Sequence, residues 1–158
     1  MANTQAMCTS FLGELMTATH NFGTAPTRAS TTADTFKAAL YVTTATINAS
    51  TTAYSATNEV SGTGYTAGGV AVTNATAPTA TNSSSTAGTA YWTPSASITY
   101  TTVTLTTAFD TVLIYNSTQS NKAVSVHTFG SQTITAGTFT LTMPSNTTST
   151  ALLRLATT

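Results

Sequence analysis

Two histidines, one cysteine and four acidic residues are the side chains in this sequence best suited to acid–base catalysis or to binding a metal ion. The histidines are His20 and His127, and the cysteine is Cys8. Structural metal sites place such ligands at short, characteristic spacings, and no such spacing occurs here. We therefore expect both histidines to be structural, and we predict neither a metal ion nor a cofactor.

Other patterns that carry catalytic chemistry are incomplete. A serine could formally combine with Asp110 and His127, but the G-x-S-x-G turn that would hold such a nucleophile does not occur. The glycines of segment 62–69 are not followed by the Lys-Ser/Thr pair and helix of a phosphate-binding loop. Arg28 and Arg154 are too far apart in the sequence to indicate an anion clamp. The sequence therefore predicts that the protein is not an enzyme.

The composition explains why reactive groups are so scarce. Of the 158 residues, 43 are Thr, 25 are Ala and 16 are Ser, and only 5% are charged, against about 25% in a typical soluble domain. Four basic and four acidic residues give a formal net charge of zero, so no basic surface for DNA or RNA is expected. Apolar runs are far shorter than the roughly 18 residues of a membrane helix, and segment 1–10 lacks a signal-peptide pattern. We predict neither a nucleic-acid nor a membrane partner, and synthesis in a cytoplasm.

One helix is predicted near the N-terminus, at residues 10–23, after an extended arm at residues 1–9. Ser10 can cap the first turn through its hydroxyl. Apolar residues from Phe11 onward recur at helical spacing. Gly23 can end the helix in a left-handed conformation.

The rest of the chain predicts β-structure. Segments rich in Thr, Val and aromatic residues are separated by Gly/Asn/Ser turns about every 8–12 residues, which is typical of a β-sandwich. A low-complexity segment at residues 77–90 predicts a flexible loop. We therefore predict a single all-β domain at residues 1–158, an antiparallel β-sandwich of the jelly-roll or immunoglobulin-like type with one short N-terminal helix. The candidate strands lie at 35–42, 70–73, 98–107, 109–115, 123–129, 138–143 and 151–155.

The low charge also indicates how the protein is used. A chain with few charged side chains has little electrostatic repulsion to keep copies apart. Burying uncharged hydroxyl and methyl groups against a partner avoids the desolvation cost of buried charges. The composition therefore favours a structural protein that functions within an assembly, and we expect a homo-oligomer.

Several segments of the sequence carry a resemblance to a known group of proteins. Phe11–Gly23 (FLGELMTATHNFG) and Asp34–Tyr41 (DTFKAALY) resemble segments that occur in the same order in small structural proteins of tailed-bacteriophage virions. Further similar segments follow in the same order: Thr52–Gly69 (TAYSATNEVSGTGYTAGG), Ala108–Asn116 (AFDTVLIYN), Asn121–Gly130 (NKAVSVHTFG), Gly137–Pro144 (GTFTLTMP) and Leu152–Leu155 (LLRL). The resemblance implies a structural virion component, located in the virion and without catalytic residues.

The resemblance allows three roles. The first is a capsid decoration or cement protein that binds the assembled shell, with the major capsid protein or other virion proteins as partners. The second is a head–tail connector or tail-tube component, and the third is a host-binding adhesin. For the first role, we predict that the N-terminal arm reaches a neighbouring subunit. Its candidate contact residues are Asn3, Thr4, Gln5 and Met7.

Overall fold

The computed structural model describes residues 3–16, 18–22, 33–73, 77–81 and 88–156. One helix and eight strands lie in these ranges. In chain order they are β1 (Ala6–Met7), α1 (Thr9–Met16), β2 (Phe36–Val42), β3 (Val70–Ala71), β4 (Thr79–Ala80), β5 (Thr89–Trp92), β6 (Ile98–Asn116), β7 (Lys122–Leu141) and β8 (Leu153–Ala156).

The strands form two antiparallel sheets. The larger sheet has the order β1-β7-β6-β2-β3, and the smaller sheet has the order β4-β5-β8. The prediction of an all-β antiparallel sandwich with one short helix is confirmed for the described residues. Threonine and the other β-branched residues favour this outcome because their stiff side chains suit a pleated, half-buried surface.

A long hairpin of β6 and β7 dominates the larger sheet. The sequence predicts two separate strands on each side of this hairpin, and that prediction is wrong. At the predicted breaks the chain does not turn; the strand register shifts instead, as between Leu105 and Phe109 and between Phe109 and Thr111. Such bulges bend a strand but let it continue. We name residues 98–108 and 130–141 the outer hairpin. This part of the hairpin lies beyond residues 109–116, where β6 pairs with β2.

Strand β2 lies in the centre of the core. Its residues alternate between the two faces of the sheet, but both faces are buried. Phe36 and Leu40 are fully buried on one face, and Ala39 and Tyr41 are fully buried on the other. A central strand that is covered on both sides therefore carries apolar residues at nearly every position.

Aromatic side chains join the helix and the two sheets. Phe22 stacks on Phe36 of β2 with ring centroids 4.4 Å apart, and Trp92 of β5 lies 4.9 Å from Phe22. Phe11 of α1 meets Phe22 edge-on at 5.8 Å. Offset and edge-to-face contacts are the favoured geometries for aromatic rings. The segment after α1 is thus fixed in the core by its phenylalanine.

The helix is shorter than the predicted 10–23, because the chain leaves it after Met16. The N–H of Ala18 donates to the Leu15 carbonyl, and the N–H of Thr19 donates to the Glu14 carbonyl. This bonding pattern is a Schellman motif, with Ala18 at a φ of 53° in the position that glycine usually occupies. Gly23, the predicted end of the helix, lies outside the described residues.

The beginning of the helix also differs from the prediction. Ser10 is the second residue of α1, so its side chain does not cap the first turn. Its hydroxyl is buried and has no hydrogen-bond partner among the described residues. Glu14 lies in the last turn of α1, where the helix dipole disfavours a negative charge. Other groups must therefore stabilise its carboxylate.

The segment predicted as a flexible loop at 77–90 is partly strand. Thr79 and Ala80 form β4, and β5 begins at Thr89. Residues 82–87 of the predicted loop lie outside the described residues.

Candidate functional site

The N-terminal segment, predicted to reach a neighbour, is bonded to its own domain. The side chain of Asn3 donates to Asp110 Oδ1 at 2.8 Å and to the Val42 carbonyl at 3.3 Å. Its side-chain oxygen accepts the Ile47 N–H at 3.0 Å, and the N–H of Thr4 donates to the Ile47 carbonyl at 3.0 Å. Asn3 therefore acts as a clamp between three segments of this chain.

Strand β1 continues this attachment. Ala6 pairs with Val126 and Met7 pairs with Ser125, so the predicted extended arm is an edge strand of the larger sheet. Backbone pairing along a free sheet edge explains why the segment does not project into solvent. Thr4 and Gln5 keep exposed side chains, and Met7 is half-buried. A contact of these residues with a neighbouring protein stays a prediction.

A groove lies between β1, β7 and β8, and His127 contributes to its lining. The Ser125 hydroxyl lies 2.9 Å from His127 Nε2. Burial lowers the pKa of His127 to about 4, so the ring is neutral and shares one hydrogen bond with Ser125. Asp110 accepts from Asn3 and Thr111 instead. Ser125, His127 and Asp110 therefore do not form a hydrogen-bonded catalytic triad in the described part of the chain. The side chain of Ser125 is also almost fully buried.

The second histidine belongs to a buried polar network around the end of α1. His20 Nε2 lies 2.6 Å from Glu14 Oε2, and Lys122 Nζ donates to Glu14 Oε1 at 2.7 Å. On its other side, His20 Nδ1 lies 3.1 Å from the amide nitrogen of Asn116. The same nitrogen donates to Asp34 Oδ2 at 2.8 Å. We name these five residues the helix-end network.

The hydrogen bonds of the helix-end network determine where the protons lie. Asn116 Oδ1 accepts the N–H groups of Thr118 and Gln119, which fixes the orientation of the amide. Its nitrogen therefore faces His20 Nδ1 as a donor, so Nδ1 must be an unprotonated acceptor. Nε2 then carries the hydrogen and donates it to Glu14. His20 is neutral in this arrangement.

The electrostatics of the helix-end network agree with that assignment. Burial lowers the pKa of His20 below its usual range, and this effect outweighs Glu14 and Asp34, which raise it. Burial raises the pKa of Glu14, but the hydrogen bonds from Lys122 and His20 outweigh burial, so the pKa of Glu14 is lowered. Glu14 is thus held as a carboxylate despite its position at the helix C-terminus.

A second, partly buried network explains the Gly-rich segment at 52–69 and its single glutamate, Glu59. Glu59 Oε2 accepts the Tyr54 hydroxyl at 2.7 Å, and Oε1 accepts the Tyr65 hydroxyl at 2.7 Å and the Gly68 N–H at 2.8 Å. The adjacent Gly69 has a φ of 72°, and a Cβ there would lie 1.6 Å from the Ala38 carbonyl oxygen. The motif therefore closes a loop tightly over β2, which is a structural role.

Two specific features are absent from the described residues. They contain no group of three or more His, Cys, Asp or Glu residues that could hold a metal ion. No helix among them is long and apolar enough to cross a membrane.

The outer hairpin presents an uncharged polar surface. Between Lys122 and Arg154 the sequence contains no Lys, Arg, Asp or Glu. From Thr128 to Leu141, β7 pairs with β6 on one side and with no other described strand. Threonine side chains dominate the exposed positions: Thr99, Thr101, Thr102, Thr106, Thr107, Thr133, Thr135, Thr138 and Thr140.

Known proteins offer no assignment for these surfaces. No protein-family model, curated protein or solved structure matches the chain. The resemblance to phage virion proteins therefore stays a hypothesis drawn from the residues themselves.

The sequence led us to expect a structural role for His20, but it gave no indication of the partners that His20 contacts. Asn116 is 96 residues away in the sequence, and Asp34 is 82 residues from Asn116. Such pairs have no local spacing signal. A hint was available in the resemblance, whose segments include His20, Asp34 and Asn116.

Proposed function

We propose that this protein is a structural component of a tailed-phage virion, and that it binds the assembled capsid as a decoration or cement protein. Its partners are the major capsid protein and further copies of itself. The resemblance of its segments to small virion proteins supports the proposal. The distribution of charge in the structure supports it independently.

The observation that carries the proposal is that all four carboxylates are bonded inside the chain. Glu14 and Glu59 accept hydrogen bonds from Lys122 and from tyrosines, respectively. Asp34 accepts hydrogen bonds from Asn21 and Asn116, and Asp110 accepts them from Asn3. The acidic groups are therefore largely engaged within the fold and contribute little to the charge repulsion that keeps soluble proteins monomeric.

The outer hairpin is the surface best suited to a large protein partner. Its hydroxyl and methyl groups can be buried without desolvating a charge. Its free β7 edge also carries backbone groups that can pair with a strand of the partner. Arg154 lies in β8, outside the outer hairpin, and its guanidinium donates to the carbonyls of Thr148 and Ser149.

Retention on capsids tests the proposal. Purified phage heads that lack the protein are incubated with recombinant protein, and bound copies are counted after washing with increasing NaCl. We expect saturable binding in hundreds of copies per head that survives about half-molar salt, because little charge is present to screen. Release at low salt, or no binding to heads, would contradict the proposal.

A matched pair of variants locates the binding surface. Thr138→Lys places a charge on the exposed face of the outer hairpin, whereas Thr57→Lys places the same charge on an exposed loop. We expect Thr138→Lys to weaken retention at least about tenfold, since the lysine must be desolvated at the interface, and Thr57→Lys to bind normally. Equal binding by both variants would exclude the outer hairpin. A ring-sized copy number at the tail would favour the connector or tail-tube role instead.

A further inference from the structure

The helix-end network joins three separate parts of the fold. Glu14 belongs to α1, Asp34 precedes β2, and Asn116 and Lys122 flank the turn between β6 and β7. His20 lies at the centre, and its side chain is completely buried. The contacts of His20 with Glu14 and Asn116 therefore hold the end of α1 against the hairpin turn.

Protonation of His20 is incompatible with this arrangement. A second proton would have to occupy Nδ1, which faces the NH2 group of Asn116 at 3.1 Å. The amide cannot turn its oxygen toward His20 without losing the two N–H groups that the oxygen accepts, from Thr118 and Gln119. Two donors would then face each other inside the core, which is unfavourable when no water can separate them.

We propose that the helix-end network is an acid-operated latch, in which protonation of His20 breaks its contact with Asn116 and frees α1 from the turn between β6 and β7. Only the helix and the segment around it open, while the paired part of β6 and β7 stays folded. The inference is independent of the proposed role in the virion.

The charged groups around His20 come from every element packed against it. Glu14 on α1 and Asp34 before β2 favour the protonated ring, whereas Lys122 on β7 opposes it. Burial also opposes protonation and is the largest effect, so the pKa of His20 in the folded state is lowered. Cys8, at the start of α1, interacts electrostatically with Glu14 and is uncharged, because burial raises the pKa of its thiol to about 11.

The direction of the pH effect follows from proton linkage. An open state that exposes His20 binds a proton below its ordinary pKa of 6.5, whereas the closed state does so only at lower pH. Opening is therefore favoured as pH falls from 6.5 toward the lowered pKa, by up to about tenfold for each pH unit. Above pH 6.5 the free energy required to open the latch is at its maximum.

The buried Cys8 reports on this opening, since it is the only cysteine and adjoins α1. Its rate of modification by 4,4′-dithiodipyridine is measured at about pH 7.5 and about pH 5.5, each relative to denatured protein at the same pH. The ratio gives the protection of Cys8. Circular dichroism at both pH values establishes whether the strands stay folded.

Two variants make the result specific. His20→Gln keeps an amide between Glu14 and Asn116 but cannot titrate, and His127→Gln removes the other histidine. We expect Cys8 protection to fall several-fold, up to about tenfold, at the lower pH in the wild type and in His127→Gln. In His20→Gln, we expect it to change less than about twofold.

Three outcomes would overturn the latch. Protection that does not change with pH in the wild type would show that His20 does not control α1. An equal fall in His20→Gln would assign the effect to another group, and loss of strand signal at about pH 5.5 would show global unfolding instead of local opening. If His20→Gln is too unstable to purify, NMR titration of the His20 ring in the wild type decides. A midpoint at or above 6.5, the ordinary value for histidine, would contradict the proposal.

Discussion

Tyr65 and Glu59 hold each other in place over the central strand. The Tyr65 hydroxyl donates to Glu59 Oε1 at 2.7 Å and accepts the Leu40 N–H at 3.0 Å, so one hydroxyl serves both the carboxylate and the β2 backbone. Burial and the bond to Glu59 both raise the pKa of Tyr65. This phenol is therefore protonated throughout the physiological pH range, as its role as a donor requires.

Removing that hydroxyl should destabilise the protein strongly. Tyr65→Phe leaves the Leu40 N–H without its acceptor and Glu59 without one of its three donors, which costs about 2–4 kcal/mol of unfolding free energy. Urea denaturation followed by circular dichroism measures the loss. Tyr91→Phe is the matched control, because Tyr91 is only half-buried in β5. An equal midpoint for Tyr65→Phe and the wild type would show that the hydroxyl is not essential.

Replacing Ala18 should make the protein more stable. Ala18 has a φ of 53° at the end of α1, and glycine adopts this conformation without steric cost. We expect Ala18→Gly to raise the unfolding free energy by about 1 kcal/mol. Ala56→Gly, at an exposed loop position without positive φ, should be neutral or destabilising. A lower thermal midpoint for Ala18→Gly would contradict the Schellman geometry.

The N-terminal clamp should matter for folding as well as for any contact with a neighbour. Asn3→Ala removes the hydrogen bond to Asp110 and the acceptor of the Ile47 N–H. A cost of about 2 kcal/mol is expected, because a hydrogen bond to a carboxylate is among those lost. Gln5→Ala changes an exposed neighbour in the same segment and should be nearly neutral. If both variants unfold at the wild-type urea concentration, the segment is not anchored as the structure has it.

His127 should make the protein sensitive to acid through its burial. Its pKa is lowered from 6.5 to about 4 in the folded state, so the unfolded chain binds a proton first as pH falls. The contribution of His127 to the free energy of unfolding is therefore fully present above pH 6.5 and is lost as pH falls toward about 4. Since the side chain is only half-buried, roughly 2 kcal/mol is expected. Urea midpoints at several pH values should fall less steeply for His127→Gln, and parallel curves for both proteins would contradict the assignment.

The N-terminal arm shows why some predictions from sequence were incomplete. Its residues carry no periodicity, so sequence alone suggests an extended segment. The edge of β7 at Ser125 and Val126 supplies backbone partners that turn the segment into β1. Whether a polar segment pairs or projects depends on a free sheet edge, and such an edge exists only after the hairpin has formed.

The hairpin of β6 and β7 shows the same limit in another form. The sequence predicted separate strands at 98–107 and 109–115, and at 123–129 and 138–143, with Gly130 and Gly137 in the second gap. In the folded protein, bulges absorb the irregular register and both strands continue. A bulge and a turn have similar local sequences, and the pairing partner decides between them.

What the sequence by itself determined is the class of fold: abundant threonine, alternating apolar residues and frequent turn residues favour short-range β-structure and allow only one helix. Those preferences act within a few residues of the chain. Only the tertiary structure decided that Ala18 ends the helix, that Asn3 binds Asp110, and that His20 faces Asn116. These contacts join residues up to 107 positions apart, and their geometry depends on the packing of complete sheets around a buried core, which no local pattern encodes.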